Sequence, residues 1–185
     1  RYLAGRHDFP LIDAVTIGDH LFVGWKEVPD PADFTLLGTA FALEQTRIAG
    51  CIAELAGDDS ACQQCRTWAD AYRQALRERF YDEKNGGFGG QTADALALEF
   101  GFAPDEARDR VVQHLVADIE KRGGHLTTGI VGTRYLLEAL SKNGRFDVAW
   151  QVVTAEGFPG WFEMQAQGAT TMTERWQVWG NYEMN

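Results

Sequence analysis

Residues 34–80 read FTLLGTAFALEQTRIAGCIAELAGDDSACQQCRTWADAYRQALRERF, and the spacing in this stretch decides the fold. Leu37, Phe41, Ile48, Ile52 and Leu55 fall on one stripe at 3.6-residue spacing, the pattern of a helix with one buried face. Gly57 stops that helix, and Asp58, Asp59 and Ser60 offer N-caps for the next. Cys65, Trp68, Tyr72, Leu76 and Phe80 make a second stripe, closed by Asn85-Gly86-Gly87. Two helices joined by so short a break read as an antiparallel hairpin.

The same grammar continues along the chain. A third helix is predicted over Thr92–Phe100, ending at Gly101, and its alanines allow the close packing of an inner helix. Pro104 takes a favoured first helical position, followed by Asp105 and Glu106 in the first turn. Ala107, Val111, Leu115 and Ile119 form the fourth stripe, stopped by Gly123-Gly124. A fifth helix spans about Val131 to Leu140, with Asn143-Gly144 as its stop, and a sixth runs from about Phe146 to Val153. Gly157-Phe158-Pro159-Gly160 then opens a final loop. No strand alternation or hairpin signal interrupts the series, so the chain reads as all-α, three antiparallel helical hairpins. Residues 1–33, broken by Pro10, Gly18, Gly24, Pro29 and Pro31, form an irregular lead-in segment of the same domain, and 34–185 form its helical-hairpin part.

Composition narrows the function. At 185 residues, 45% hydrophobic and 24% charged, the chain is one domain or a piece of one with a sizeable core. Its net charge of −10 lacks the basic stripe that nucleic acid requires, and no apolar run is long enough to span a membrane. The opening Arg-Tyr-Leu-Ala-Gly-Arg, with no initiator Met or signal-peptide pattern, fits an interior start. Cys51, Cys62 and Cys65 give no disulfide framework, which favours a reducing, cytoplasmic compartment over a periplasmic or secreted one. Cys62 and Cys65 form a CxxC inside a helical pattern without a second pair or nearby histidines, so they read as helix residues rather than a metal or redox site.

The polar and aromatic residues gather in the turns. Residues 86–91, 123–129, 158–163 and 168–179 precede odd-numbered helices or follow the sixth, so alternating helix directions put them at one end of the array. The glycine loops lack the GxxxxGK[ST] order of a phosphate cradle, and Ser60 and Ser141 have no nucleophile context. Glu174 stands out. Glycosidic cleavage uses two carboxyl groups, and a glutamate beside Arg175 and near Trp161, Trp176 and Trp179 suits one of them, the tryptophans offering flat faces to a sugar ring. The alternative, a loop glutamate paired with its neighbouring arginine, stays open on composition alone.

Three stretches in order carry a resemblance. Gln91–Leu98 (QTADALAL), Gly124–Leu140 (GHLTTGIVGTRYLLEAL) and Gly168–Trp176 (GATTMTERW), with Asn143-Gly144-Arg145 and Phe158-Pro159-Gly160-Trp161 between them, resemble the catalytic domain of the bacterial α-L-rhamnosidases. The resemblance implies an (α/α)6 toroid, a six-hairpin barrel of which this chain holds about half. It implies inverting hydrolysis of terminal α-L-rhamnose from glycosides or polysaccharides, with no metal or organic cofactor. Glu174 maps onto the general base, and Trp161, His125, Asp19, Trp25 and Trp176 onto substrate-binding positions. The general acid of that family lies in a segment with no counterpart among residues 1–33, where Asp8, Asp13 and Asp19 stand in other contexts. Gly18-Asp19-His20 replaces a Gly-Asp-Trp, with Trp25 as the substitute aromatic wall, and Thr173 replaces a tryptophan before the base.

The resemblance also implies partners: a rhamnose-containing carbohydrate, and either the remaining N-terminal half of the domain or another copy of the chain to cover the inner helices. Other α/α-toroid glycosidases, unsaturated uronyl hydrolases and a non-catalytic, self-associating sugar-binding scaffold are the competing readings. His125 is weighed between a sugar ligand and a tie for its own loop, and His114 between helix surface and packing.

Overall fold

A computed structural model describes residues 9–12, 18–23 and 33–176. Trp25, Trp179, Asp8 and Asp13 lie outside the described residues. Within them the chain is helical: α1 (Phe34–Leu55), α2 (Asp59–Phe80), α3 (Gln91–Glu99), α4 (Arg108–Lys121), α5 (Ile130–Lys142), α6 (Phe146–Thr154) and a short α7 (Trp161–Ala166). An isolated antiparallel bridge pairs Asp82 with Gly87.

The predicted stops work by backbone chemistry. Gly57 takes φ 70°, open to glycine without a Cβ clash, which lets the Asp58 N–H reach back to the Ala53 carbonyl at 2.9 Å. The Asp58 side chain then accepts the Ala61 N–H at 2.9 Å and starts α2. One residue therefore closes the first helix and opens the second. Asp33 caps α1 in the same way, accepting from Thr35 and Leu36 at 2.8 and 3.1 Å.

The odd-numbered helices α1, α3 and α5 form the inner layer and the even-numbered helices back them. α1 packs on α2, α3 on both α4 and α5, and α5 on α6. Every residue of α3 from Gln91 to Leu98 is buried, which four alanines and leucines in sequence make possible from all sides. Phe41, Phe100 and Tyr135 meet edge-on with ring centroids 5.0–6.2 Å apart and tie α1, the end of α3 and α5 together. Leu76, Leu96, Leu115, Ile119, Leu136 and Leu140 are the fully buried side chains at the centre.

Three features depart from the sequence expectation. The predicted stripe of α1 is half wrong: Leu36, Leu37, Ala40 and Leu43 are buried, whereas Ile48, Ile52 and Leu55 are 47%, 61% and 89% exposed. Periodicity identifies an apolar face without saying what covers it, and no described element covers the second half of this one. The residues after Gly160 form α7 rather than loop, because Trp161-Phe162-Glu163-Met164-Gln165-Ala166 contains no breaker. Pro104 caps a 3₁₀ turn, Asp105–Ala107, ahead of α4 instead of opening the α-helix itself.

His114 resolves as packing between helices. Its Nδ1 lies 2.6 Å from the buried Asp94 Oδ2, and Asp94 Oδ1 accepts the Phe88 N–H at 2.6 Å. Gly87 is glycine for this reason, since a Cβ there would fall 2.2 Å from the imidazole. The hydrogen bond to Asp94 pushes the His114 pKa up, and burial pushes the Asp94 carboxyl up, so the pair holds a proton to higher pH than an isolated histidine. The raised His114 pKa contributes stability that is present below the ordinary histidine value and lost as pH rises through the raised one, whereas desolvation of Asp94 penalises its charged form and costs stability as pH rises above the ordinary carboxylate value. His114→Gln should therefore cost about 1–2 kcal/mol in urea unfolding at pH 5.5. The difference from the parent chain should shrink as pH rises above the ordinary histidine value.

Candidate active-site cleft

The first residue of α3 holds the loop before α5: Gln91 Oε1 accepts the Thr127 N–H at 2.8 Å and Gln91 Nε2 donates to the His125 carbonyl at 3.3 Å. His125 Nδ1–H in turn donates to the Pro159 carbonyl at 2.9 Å. The turns before α3, before α5 and after α6 are thus at one end of the array, as alternating helix directions require.

The loop from His125 to Gly129 is fixed from several sides. Asp19 is fully buried, and its Oδ1 accepts the Gly132 N–H at 2.8 Å while Oδ2 accepts the Gly129 N–H at 2.9 Å and the Thr92 hydroxyl. This is an N-cap for α5 supplied from 110 residues away, and α5 has no side-chain cap of its own. Backbone reinforces it: Ile130 N–H donates to the His20 carbonyl at 2.9 Å, and Val23 N–H to the Thr127 carbonyl at 3.1 Å. Leu21, between them, holds φ 61° in the left-handed region, a conformation that costs a non-glycine residue on the order of 1 kcal/mol. Trp176 is buried, and its indole Nε1–H donates to the Thr128 carbonyl at 2.8 Å.

On this scaffold sits a cleft of about 280 Å³. Trp161 and Trp176 form one wall, edge to face with centroids 5.0 Å apart, and Leu21, Ile130 and Met164 supply apolar surface beside them. Arg134 and Arg175 line it as well, and Glu174 is its one carboxylate among the described residues. Glu174 is exposed on a turn shaped by the Thr173 hydroxyl, which donates to the Arg175 carbonyl at 2.5 Å and touches the Met164 sulfur at 3.3 Å. Thr173 thus acts as a local brace. Larger grooves lie between Phe9–Leu11 and α2 and between α1 and α2, but neither joins a carboxylate to tryptophan faces.

The sequence-predicted residues divide accordingly. Glu174, Trp161 and Trp176 come together in the cleft. His125 is half-buried with its Nδ1–H engaged by Pro159, a tie for its loop, and it is not among the cleft residues. Asp19, expected at a substrate-binding position, is a correction: its carboxylate is sealed from solvent and occupied by two backbone N–H groups and a hydroxyl. Leu21 and Arg134 were not expected. Arg134 was legible in principle, four residues after Ile130 and therefore on the same face of the first turns of α5. Among the described residues no group of His, Cys, Asp and Glu side chains forms a metal site; Cys62 is buried in α2 and Cys65 half-buried one turn on.

Stacked helical hairpins with an aromatic and carboxylate cleft at one end define the chain as part of an α/α-hairpin domain. The family model of the bacterial α-L-rhamnosidase six-hairpin glycosidase domain matches residues 4–185, and the chain belongs to that family. It is 33% identical over 181 residues to an α-L-rhamnosidase of Streptomyces avermitilis, covering 95% of this chain and 16% of the relative. An α-L-rhamnosidase of Formosa agariphila is 31% identical over 153 residues, 80% of this chain and 16% of the relative. The solved structure of the Streptomyces avermitilis α-L-rhamnosidase complexed with L-rhamnose superposes with a TM-score of 0.83 at 31% identity, over 96% of this chain and 17% of that one. That of the α-L-rhamnosidase from Dictyoglumus thermophilum gives 0.88 at 28% identity, over 99% and 21%. The three hairpins are therefore part of a six-hairpin α/α toroid, and the chain spans about a sixth of the length of the curated relatives it matches.

The crossing under the cleft leaves no room for side chains. A Cβ at Gly132 would sit 2.2 Å from Thr92 Oγ1 and 2.8 Å from Asp19 Oδ2. Gly132→Ala should destabilise the protein by about 1–3 kcal/mol through this overlap. The urea midpoint should fall at an unchanged slope.

Proposed function

We propose that the chain is part of a glycoside hydrolase that cleaves terminal α-L-rhamnose from glycosides or polysaccharides with inversion, Glu174 serving as general base. One observation carries this reading: Glu174, the sole carboxylate lining the cleft among the described residues, is exposed beside two tryptophans. A sugar ring seated on the half-buried Trp161, which the buried Trp176 backs edge to face, buries its apolar face there, and its hydroxyls find donors in Arg134 and Arg175. Glu174 then takes a proton from the water that attacks the anomeric carbon as the leaving alcohol departs. Inversion needs room for that water, roughly 6.5–9.5 Å between the two carboxyl groups. Among the described residues no second carboxylate lines the cleft, and the general acid comes from the remaining hairpins of the parent protein. The names and the rhamnose complex of the relatives support this substrate over other toroid glycosidases and uronyl hydrolases.

The partner follows from the uncovered faces. Ile48 and Ile52 on α1 and Phe146 and Trp150 on α6 are 47–66% exposed and stand on the first and last hairpins of the array. These are the two seams at which the other three hairpins close the ring. The 185-residue chain on its own should self-associate and enhance the fluorescence of an apolar dye, whereas the full-length parent should do neither. A dye-silent monomer would count against the seams.

The decisive assay is hydrolysis of an aryl α-L-rhamnoside by the full-length parent and its Glu174→Gln variant. Turnover should fall by a factor on the order of 10² or more with little change in KM. Equal turnover would remove Glu174 from the mechanism. A parent without turnover that still binds L-rhamnose would favour the scaffold reading.

A further inference from the structure

We infer that Asp19 is a positioning residue for the cleft: through the N-terminus of α5 it fixes the Gly129-Ile130 edge of the cleft and, through Thr128, the indole of Trp176. Only the kinetic arm of its test rests on the proposed glycosidase reading.

Asp19 cannot touch a ligand, because its carboxylate is fully buried. It instead joins three separate parts of the sequence. The Thr92 hydroxyl reaches it from the first turn of α3, and the Gly129 and Gly132 N–H groups from the start of α5, 110 and 113 residues away. The turn that holds Asp19 also carries Leu21, a cleft residue kept in the left-handed region while the Phe22 N–H closes back on the Asp19 carbonyl at 3.2 Å. At Gly129 a Cβ would meet the His20 and Asp19 carbonyls at 2.2 and 2.3 Å, so this contact is backbone on backbone with no side chain to absorb a displacement.

The path onward is equally short. Gly129 follows Thr128, whose carbonyl accepts the Trp176 indole at 2.8 Å, and Trp176 stands against Trp161 two residues after Glu174. A shift of the Thr128 carbonyl must therefore move the tryptophan wall. An amide cannot replace the carboxylate. Asparagine has one acceptor oxygen, so its NH₂ faces either the Gly129 or the Gly132 N–H, donor against donor.

The test uses the full-length parent with 5-fluorotryptophan incorporated, the Trp176 fluorine resonance being assigned by Trp176→Phe. Asp19→Asn should shift or broaden that resonance and raise KM for an aryl α-L-rhamnoside about tenfold or more, with a smaller effect on kcat, at a temperature where circular dichroism shows the fold intact. Thr92→Val, which removes the hydroxyl but not the carboxylate, should move the resonance in the same direction, and Thr92→Ser should leave it in place. An unmoved Trp176 signal in both Asp19→Asn and Thr92→Val, or an unchanged KM in an active parent, overturns the inference and leaves Asp19 with a role in stability alone. A parent that hydrolyses no rhamnoside defeats the glycosidase reading, and the fluorine signal still decides the role of Asp19.

Discussion

A single buried carboxylate holds the working end of this domain together. Asp19 neutralises the N-terminal end of α5 and satisfies two N–H groups that no local side chain reaches. Each such group, left unpaired in the interior, would cost about 1–3 kcal/mol, so the loop before α5 is ordered only while the 18–23 segment is seated. The geometry of everything above it follows. Thr128 presents its carbonyl to Trp176, Leu21 is forced into a conformation it would not choose, and the cleft acquires its walls.

That seating depends on small residues elsewhere. α3 can be buried on all sides because Ala93, Ala95 and Ala97 let neighbouring helices approach, and Thr92 reaches Asp19 from its first turn. Gly129 and Gly132 do for the loop what the alanines do for the helix, removing the atoms that would hold two backbones apart. The His114–Asp94 pair fixes the opposite flank of α3 to α4 through the Phe88 turn. The inner helix is thus clamped at one end by two buried carboxylates, one on each side, and neither is available for chemistry.

How much of this was legible varies with the range of the interaction. The Gly57–Asp58 stop and start, the Gly123-Gly124 ending of α4 and the four-residue stripe of Ala107, Val111, Leu115 and Ile119 are local, and the residues that write them also execute them. Ile48, Ile52 and Leu55 show the limit: their spacing declares an apolar face, but its partner is set by the rest of the ring and not by the helix that bears it. Asp19 shows it from the other side. A lone aspartate in an irregular segment has no periodicity to betray that it caps a helix 110 residues on, and likeness to a sugar-binding family made it a ligand. Glu174, Trp161 and Trp176 were legible as a group because they stand close in sequence, yet the cleft that unites them is built by Leu21 and Arg134, which do not.

The distribution of acids at this end sorts structure from chemistry. Four odd helices start here, and each has a carboxylate where its dipole favours one: Asp33 capping α1, Asp94 in the first turn of α3, Asp19 capping α5 and Glu163 in the first turn of α7. The three aspartates accept backbone N–H groups and Glu163 accepts the Gln167 amide, so these carboxylates give up little of their hydrogen-bonding capacity to a ligand. Glu174 belongs to no helix and caps none. It faces the cleft that the buried carboxylates hold open.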